Sequence, residues 1–353
     1  MRNFRCRCGA TVFFDNTRCL TCGHELGFLP EDLVLASLEA VEGGFSTPNG
    51  VYSKCANYVN EGVCNWMVPG GAEAGTLCQA CELNHVIPDL SQPANRALWA
   101  EVEKAKRRLV YGLDRLKLPL RSKRRDPENG LAFDIKADVG TTRVLTGHDD
   151  GLITLNLAEA DAPMREKMRV AMKERYRTLL GHFRHEVGHY YWDRLVRGTD
   201  ALEPFRVRFG DERADYAQAL VRHYARAAVE PDPAFITRYA SSHPWEDFAE
   251  TFAHYLHIDD TLETAREYGF PGAGPVESGA TDDPGADFGT VLRQWGDLTV
   301  ALNAMNRSMG LTDAYPFQLS PAVNEKLRFV HELVSGARST SSASVEAPRT
   351  AAA

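Results

Sequence analysis

The sequence has no apolar run approaching the roughly 18 residues that a helix needs to cross a bilayer. Its first residues, MRNFRC, also lack the apolar segment of a secretory signal peptide. We therefore expect a cytoplasmic protein that does not associate with membranes. Because that compartment keeps thiols reduced, its cysteines favour metal binding over disulfides.

The sequence also lacks a large excess of charge of one sign. Its 353 residues include 40 Lys and Arg and 48 Asp and Glu, which gives a net charge of −8. This balance argues against a chain whose whole surface binds nucleic acid. The segment 104–125 is a local exception, with ten Lys or Arg and one acid, Asp114. We interpret it as a solvated helix that pairs with acids elsewhere in the chain, and a nucleic-acid-binding patch is the alternative.

Cysteine is absent after Cys81, so all eight cysteines lie in the first quarter of the chain. The first four form two short pairs, each followed by glycine, as in the tight knuckles that enclose zinc. They are Cys6, Cys8, Cys19 and Cys22, and His24 is a substitute ligand. The other four, Cys55, Cys64, Cys78 and Cys81, remain for a second tetrahedral site. We predict two structural zinc ions, with free thiols or iron–sulfur clusters as alternatives.

The hydrophobic pattern predicts an α+β chain that is mainly helical. Apolar residues recur at helical spacing from about Ala94 to Lys117, whereas residues 131–156 alternate and include an Asp-Gly hairpin turn at 150–151. Further helices are predicted over 162–177, 178–196, 211–229, 232–240, 244–257, 286–308 and 321–336. We divide the chain into a cysteine-rich domain (1–90), a mainly helical domain with a small antiparallel sheet (91–335) and a disordered tail (336–353).

The sharpest motif is His185-Glu186-Val187-Gly188-His189. Residues i and i+4 of a helix share one face, so His185 and His189 can bind the same zinc ion. Glu186 then faces the open coordination position, where it can take a proton from water. Gly188 costs about 1 kcal/mol relative to Ala inside a helix, which predicts that another backbone or the metal ligand approaches it closely. A helix with two surface histidines is the alternative.

A catalytic zinc needs a third protein ligand, and Glu246 and Glu250 share one face of a predicted helix. One carboxylate can bind the metal while the other orients a histidine through its second ring nitrogen. Asp211 and Asp215 are the competing candidates. We interpret them instead as a helix cap and the partner of an arginine.

The HExxH helix followed by Glu246-x-x-Ala249-Glu250 resembles the gluzincin metallopeptidases, in particular the group that includes the catalytic domain of anthrax lethal factor. More closely, residues 3–335 resemble bacterial zinc-binding metallopeptidases that carry an N-terminal zinc-ribbon domain. This resemblance implies a zincin-like fold in which Glu246 is the third ligand and Glu250 supports a histidine.

The resemblance also implies a group that stabilises the oxyanion. Tyr239 lies seven residues before Glu246, as the corresponding tyrosine does in lethal factor, and His243 is a nearby substitute. Gluzincins bind peptide along an exposed sheet edge, a role that the strand Gly151–Asn156 can fill. A core strand is the alternative for that segment.

We therefore expect a zinc-dependent peptidase with one catalytic and two structural zinc ions. Its substrate is a peptide or protein, the ribbons recruit a further partner, and nucleic acid is not expected to bind. The alternatives are a non-catalytic zinc-ribbon adaptor that binds protein, or a nucleic-acid-associated peptidase recruited by the ribbons. Glu186 argues against the adaptor, since a site without catalysis does not need this acid. We also expect the chain to fold without residues 1–90.

Overall fold

The computed structural model of the chain describes residues 2–172, 174–225, 232–274 and 287–345, with only the backbone described for 339–345. The described part divides into two compact units. The first runs to Tyr111 and includes Arg121–Phe183, and the second comprises Gly112–Leu120 and the residues from Arg184 onward. The prediction of an α+β, mainly helical chain is confirmed. Within the described residues, no helix is long and apolar enough to span a membrane.

Short antiparallel strands form the cysteine-rich part of the first unit. They are β1 (Phe4–Arg5), β2 (Thr11–Val12), β3 (Leu26–Leu29), β4 (Val34–Ser37), β5 (Glu39–Val41), β6 (Gly44–Thr47), β7 (Gly50–Lys54) and β8 (Met67–Pro69). Two single-turn helices, α1 (Ala56–Val59) and α2 (Gln79–Glu82), each begin directly after a cysteine. Strands of this length bury little apolar surface, as expected of a region that metal ions hold together.

Helix α3 (Pro93–Arg115) confirms the helix predicted from the spacing of its apolar residues. Most of its length belongs to the first unit, where the Tyr111 ring packs edge-on against Phe14 and Phe28. Its Glu103 and Lys106 side chains are fully buried and form an ion pair at 2.8 Å. Helix α3 therefore shares one core with the cysteine-rich strands.

A four-stranded sheet completes the first unit, with the order β11 (Gly147–Asp149), β12 (Leu152–Asn156), β10 (Ala132–Lys136) and β9 (Asn84–Val86). The predicted hairpin joins β11 to β12, and positive φ angles at Asp150 (43°) and Gly151 (75°) give the expected type I′ turn. Strand β10 pairs in parallel with both β12 and β9.

The position of β12 contradicts the prediction that this strand is an exposed edge for peptide. It lies between β11 and β10, so its backbone groups are already paired on both sides. The alternative of a core strand is the one observed. Strand β9 precedes residue 90 and yet pairs with β10, so this sheet joins residues from both sides of the predicted domain boundary.

The remaining helices are α4 (Ala162–Ala171), α5 (Leu179–Leu195), α6 (Leu202–Phe209), α7 (Tyr216–Ala225), α8 (Pro244–Glu267), α9 (Phe288–Ser308) and α10 (Pro321–Val345). Two 3₁₀ turns cover Leu157–Ala160 and Tyr239–Ser242. In the second unit, α8 packs against α6, α9, α10 and the second 3₁₀ turn. It is buried along most of its length, which makes it the centre of this unit.

Three helix predictions are corrected. The segment 232–240 forms turns and the start of the second 3₁₀ turn instead of an α-helix. The Ala240 N–H, which a helix would bond to a backbone carbonyl, donates to Thr237 Oγ1. Helix α6 was not predicted. It contains Pro204 in its first turn, where a helix tolerates proline. Helix α10 continues to Val345, into the expected disordered tail, and the rest of that tail (346–353) lies outside the described residues.

Candidate metal centre

Helices α5 and α8 of the second unit bring together the three predicted ligands of the catalytic metal. Nε2 of His185 and Nε2 of His189 lie 3.0 and 3.3 Å from Oε2 of Glu246. The potential ligand atoms of these residues all lie within 4.8 Å of one another. One face of the HExxH helix therefore points its two imidazoles at a single carboxylate oxygen on the neighbouring helix.

Close contact between the two helices depends on Gly188. A Cβ atom at this position would lie 2.8 Å from the Cα of Ala249 and 3.0 Å from its carbonyl oxygen. The predicted close approach of a second backbone is thus confirmed. The small residues Gly188 and Ala249 allow α5 and α8 to pack closely enough for histidine and glutamate atoms to meet.

The arrangement of donor atoms fits a zinc ion. Nδ1 of His185 lies 2.7 Å from Oε1 of Glu250, so a His185 ring that binds metal keeps its proton on Nδ1 and offers the lone pair of Nε2. Oε2 of Glu246 is buried and accepts no hydrogen bond from the described residues. Two imidazoles with one carboxylate are a common ligand set for zinc.

Charge interactions in this site oppose the effect of burial. Burial by itself would lower the pKa of His185, but the carboxylates of Glu246 and Glu250 raise it well above 6.5. Burial likewise would raise the pKa of Glu246, but His185 and His189 hold it well below its usual range. A protonated His185 therefore balances the ionised carboxylates in this structure, and a metal cation bound between these residues would take over that role.

Glu250 lies one helical turn after Glu246 and supports the site as the sequence pattern indicates. Its Oε1 accepts the proton of His185 Nδ1, and its Oε2 accepts a hydrogen bond from Thr237 Oγ1 at 2.7 Å. Both carboxylate oxygens are therefore engaged, which fixes the orientation of the His185 ring. Thr237 was not a predicted site residue, because nothing in the local sequence around Thr237 connects it to a glutamate 13 residues later.

Glu186 lies on the same helix as the two histidines and is 8% exposed. Its carboxylate accepts no side-chain hydrogen bond from the part of the chain that the structure describes. The carboxylate is therefore available to exchange a proton with a small molecule in the site.

Two tyrosines line the site. The Tyr216 hydroxyl donates a hydrogen bond to Oε1 of Glu246 at 2.5 Å. The ring of Tyr239 lies 5.8 Å from the His185 ring. Burial and the Glu246 carboxylate raise the pKa of both tyrosines above 10, so both remain protonated. Tyr216 was not among the predicted site residues.

The structure gives other roles to three further candidates. His243 caps α8, since its Nδ1 accepts the Trp245 N–H and its Nε2 donates to the Ala214 carbonyl. With both ring nitrogens engaged, His243 has no group left to stabilise an oxyanion. Asp211 pairs with Arg213, and Asp215 accepts the Gln218 N–H at the start of α7. Both acids are structural as predicted, but their predicted roles are reversed: Asp211 pairs with the arginine and Asp215 caps the helix.

The eight cysteines form the two predicted groups in the first unit. Cys6, Cys8, Cys19 and Cys22 make one cluster, and Cys55, Cys64, Cys78 and Cys81 make the other. Sγ atoms approach within 3.4 Å in the first cluster (Cys6 and Cys22) and within 3.7 Å in the second (Cys64 and Cys78). None of the eight forms a disulfide. Four thiols at one point fit a tetrahedral zinc ion, and His24 lies beside the first cluster, 3.3 Å from the Cys22 sulfur.

Several arginines of the basic segment 104–125 form ion pairs with acids of the same unit. In the first unit, Arg108 pairs with Asp15, and Arg125 pairs with Glu82 at 2.7 Å. In the second unit, Arg115 pairs with Asp259. These ion pairs favour the interpretation of the segment as a helix that pairs with acids over a nucleic-acid-binding patch.

Comparisons with known proteins agree with this arrangement. A family model described as "Putative zinc-binding metallo-peptidase" matches residues 95–333, and a model described as "zinc-ribbon domain" matches residues 3–92. Relatives in Mycobacterium tuberculosis and Mycobacterium bovis, each described as an uncharacterized protein, are 44% identical over 337 residues. That alignment covers 95% of this chain and 95% of each relative. No solved structure matches the chain.

Proposed function

Because the chain belongs to the family of zinc-binding metallo-peptidases, we propose that it hydrolyses peptide bonds in a peptide or protein substrate by gluzincin-type chemistry. One observation carries the proposal. His185 Nε2, His189 Nε2 and Glu246 Oε2 converge on one point, and Glu186 with its available carboxylate lies on the same helix. We further propose that the two cysteine clusters hold structural zinc ions and that the ribbon region recruits a partner.

Each residue of the site has a distinct task in this proposal. When bound, zinc lowers the pKa of a coordinated water to about 7 and polarises the substrate carbonyl. Glu186 accepts a proton from the attacking water and later donates it to the leaving amine. The hydroxyl of Tyr239 donates a hydrogen bond to the developing oxyanion. Glu250 keeps His185 in the tautomer that presents Nε2 to the site.

The Glu186→Gln variant tests this proposal. The amide has the shape of the carboxylate but cannot accept a proton, so hydrolysis should fall by about 10²–10⁴-fold. The zinc content should not change, because Glu186 is not a ligand. The measurement is cleavage of an unbiased peptide library by the full zinc-loaded chain, read by mass spectrometry, together with elemental analysis of each protein.

A matched control is Glu325→Gln, because the Glu325 carboxylate is largely exposed on α10 and lies outside the site. This variant should cleave the library at the wild-type rate. Cleavage by Glu186→Gln at the wild-type rate would eliminate the hydrolytic mechanism. A wild-type chain that retains its zinc and cleaves nothing would instead favour the adaptor.

A further inference from the structure

The second oxygen of Glu246 has its own partner, which no sequence motif indicates. Oε2 of Glu246 faces the histidines. Oε1 accepts a hydrogen bond from the hydroxyl of Tyr216, which is the first residue of α7. We propose that Tyr216 is a positioning residue that makes Glu246 bind zinc through Oε2 alone. This inference rests on the zinc site of the proposed function but not on peptide hydrolysis.

A carboxylate can bind zinc through one oxygen or through both. Binding through both would occupy the coordination position that a catalytic site keeps open. The hydroxyl of Tyr216 holds Oε1 in a short hydrogen bond to an ionised acceptor, which is the stronger class of hydrogen bond. Glu246 is 1% exposed, so its Oε1 depends on this hydroxyl and not on bulk solvent for a hydrogen bond.

The fold fixes the distance between Tyr216 and Glu246 through His243. Its Nε2 donates to the carbonyl of Ala214, two residues before Tyr216, and its Nδ1 caps the helix that carries Glu246. The ring of His243 also lies 5.3 Å from the Tyr216 ring. One side chain thus ties the start of α7 to the start of α8, where the two hydrogen-bonded groups lie.

The two tyrosines have separate roles in this arrangement. Tyr216 uses its one hydroxyl hydrogen in the bond to Oε1 of Glu246, whereas the ring of Tyr239 lies 5.8 Å from the His185 ring. In this proposal Tyr216 serves the metal ligand and Tyr239 serves the substrate. Loss of the Tyr216 hydroxyl, by contrast, acts directly on the metal ligand.

Phenylalanine substitutions separate these roles in the full chain. Tyr216→Phe should weaken zinc binding at this site by about 10–100-fold, measured by competition with a chelator. Tyr239→Phe should bind zinc as the wild type does and lose hydrolytic rate. Tyr224→Phe is the matched control, because it alters an exposed tyrosine on the same helix and should leave zinc affinity unchanged.

Cobalt placed in this site alone, with zinc kept in the cysteine clusters, reports the binding mode. The wild type should show the intense visible bands of four-coordinate cobalt, and Tyr216→Phe the weaker bands of a five-coordinate ion. The ring contacts of Tyr216 persist in phenylalanine, and unchanged helical content with two cysteine-bound zinc ions verifies the fold. Unchanged zinc affinity and an unchanged cobalt spectrum in Tyr216→Phe would overturn the proposal. If the wild-type chain cleaves no peptide, but Tyr216→Phe still weakens zinc binding and changes the cobalt spectrum, the role of Tyr216 is supported and the proposed function fails.

Discussion

Replacing Glu246 by alanine should empty the metal site of the second unit and lower the zinc content from three ions per chain to two. The variant loses the oxygen on which both imidazoles converge, at 3.0 and 3.3 Å. Glu250→Ala should have a smaller effect, because Glu250 contacts the Nδ1 side of His185 and not the metal position. We expect it to weaken zinc binding by about 10–100-fold without abolishing it.

Elemental analysis of proteins purified without chelator, followed by chelator competition, measures both effects. Asp211→Ala is the control, since Asp211 pairs with Arg213 and should not affect the zinc content. If Glu250→Ala empties the site and Glu246→Ala retains the metal, the roles of the two carboxylates are reversed. If both variants retain three tightly bound ions, neither glutamate is a ligand.

Deletion of residues 1–90 should prevent the first unit from folding. The structure thereby changes the expectation drawn from the sequence, because the deleted segment supplies strand β9 to the sheet and the aromatic partners of Tyr111. It also supplies Asn84, which hydrogen-bonds both Glu103 and Lys106. Leaving a buried polar group without its hydrogen-bond partner costs about 1–3 kcal/mol, and more for a charged group, before the lost apolar contacts are counted.

Far-UV circular dichroism and limited proteolysis of the truncated chain test this prediction. We expect less helix than residues 91–353 have in the full chain, and rapid cleavage within α3. A truncated protein that unfolds cooperatively, resists protease and binds one zinc would show that the domain boundary near residue 90 is also a folding boundary. The full chain, refolded under the same conditions, is the control.

Local metal chemistry is the part of this protein that its sequence predicts best. The spacing of His185 and His189 on one helix, and the pairs of cysteines followed by glycine, each encode geometry over a few residues. The structure brings together all three predicted groups of ligand atoms, although the second cysteine group was assigned from the four cysteines that remained and Glu246 from the resemblance. The cost of Gly188 within a helix likewise indicated a close neighbour, and the structure places the Ala249 backbone there.

The sequence contains no comparable signal that predicts contacts between distant segments. Tyr216 reaches Glu246 across 30 residues through turns, and the sequence does not show that α7 begins beside α8. The segment 232–240 has apolar residues suited to a helix, but the side chain of Thr237 competes for the Ala240 N–H. The alternation in β12 indicated a strand and could not distinguish an edge strand from an internal one.

Anomalous diffraction at the zinc edge, from crystals of the full chain purified without chelator, tests the central claim most directly. The account predicts three zinc peaks per chain. One should lie within bonding distance of His185 Nε2, His189 Nε2 and Glu246 Oε2, at about 2.0–2.2 Å, with one more in each cysteine cluster. Peaks in the cysteine clusters, together with no peak between the two histidines and Glu246, would contradict it.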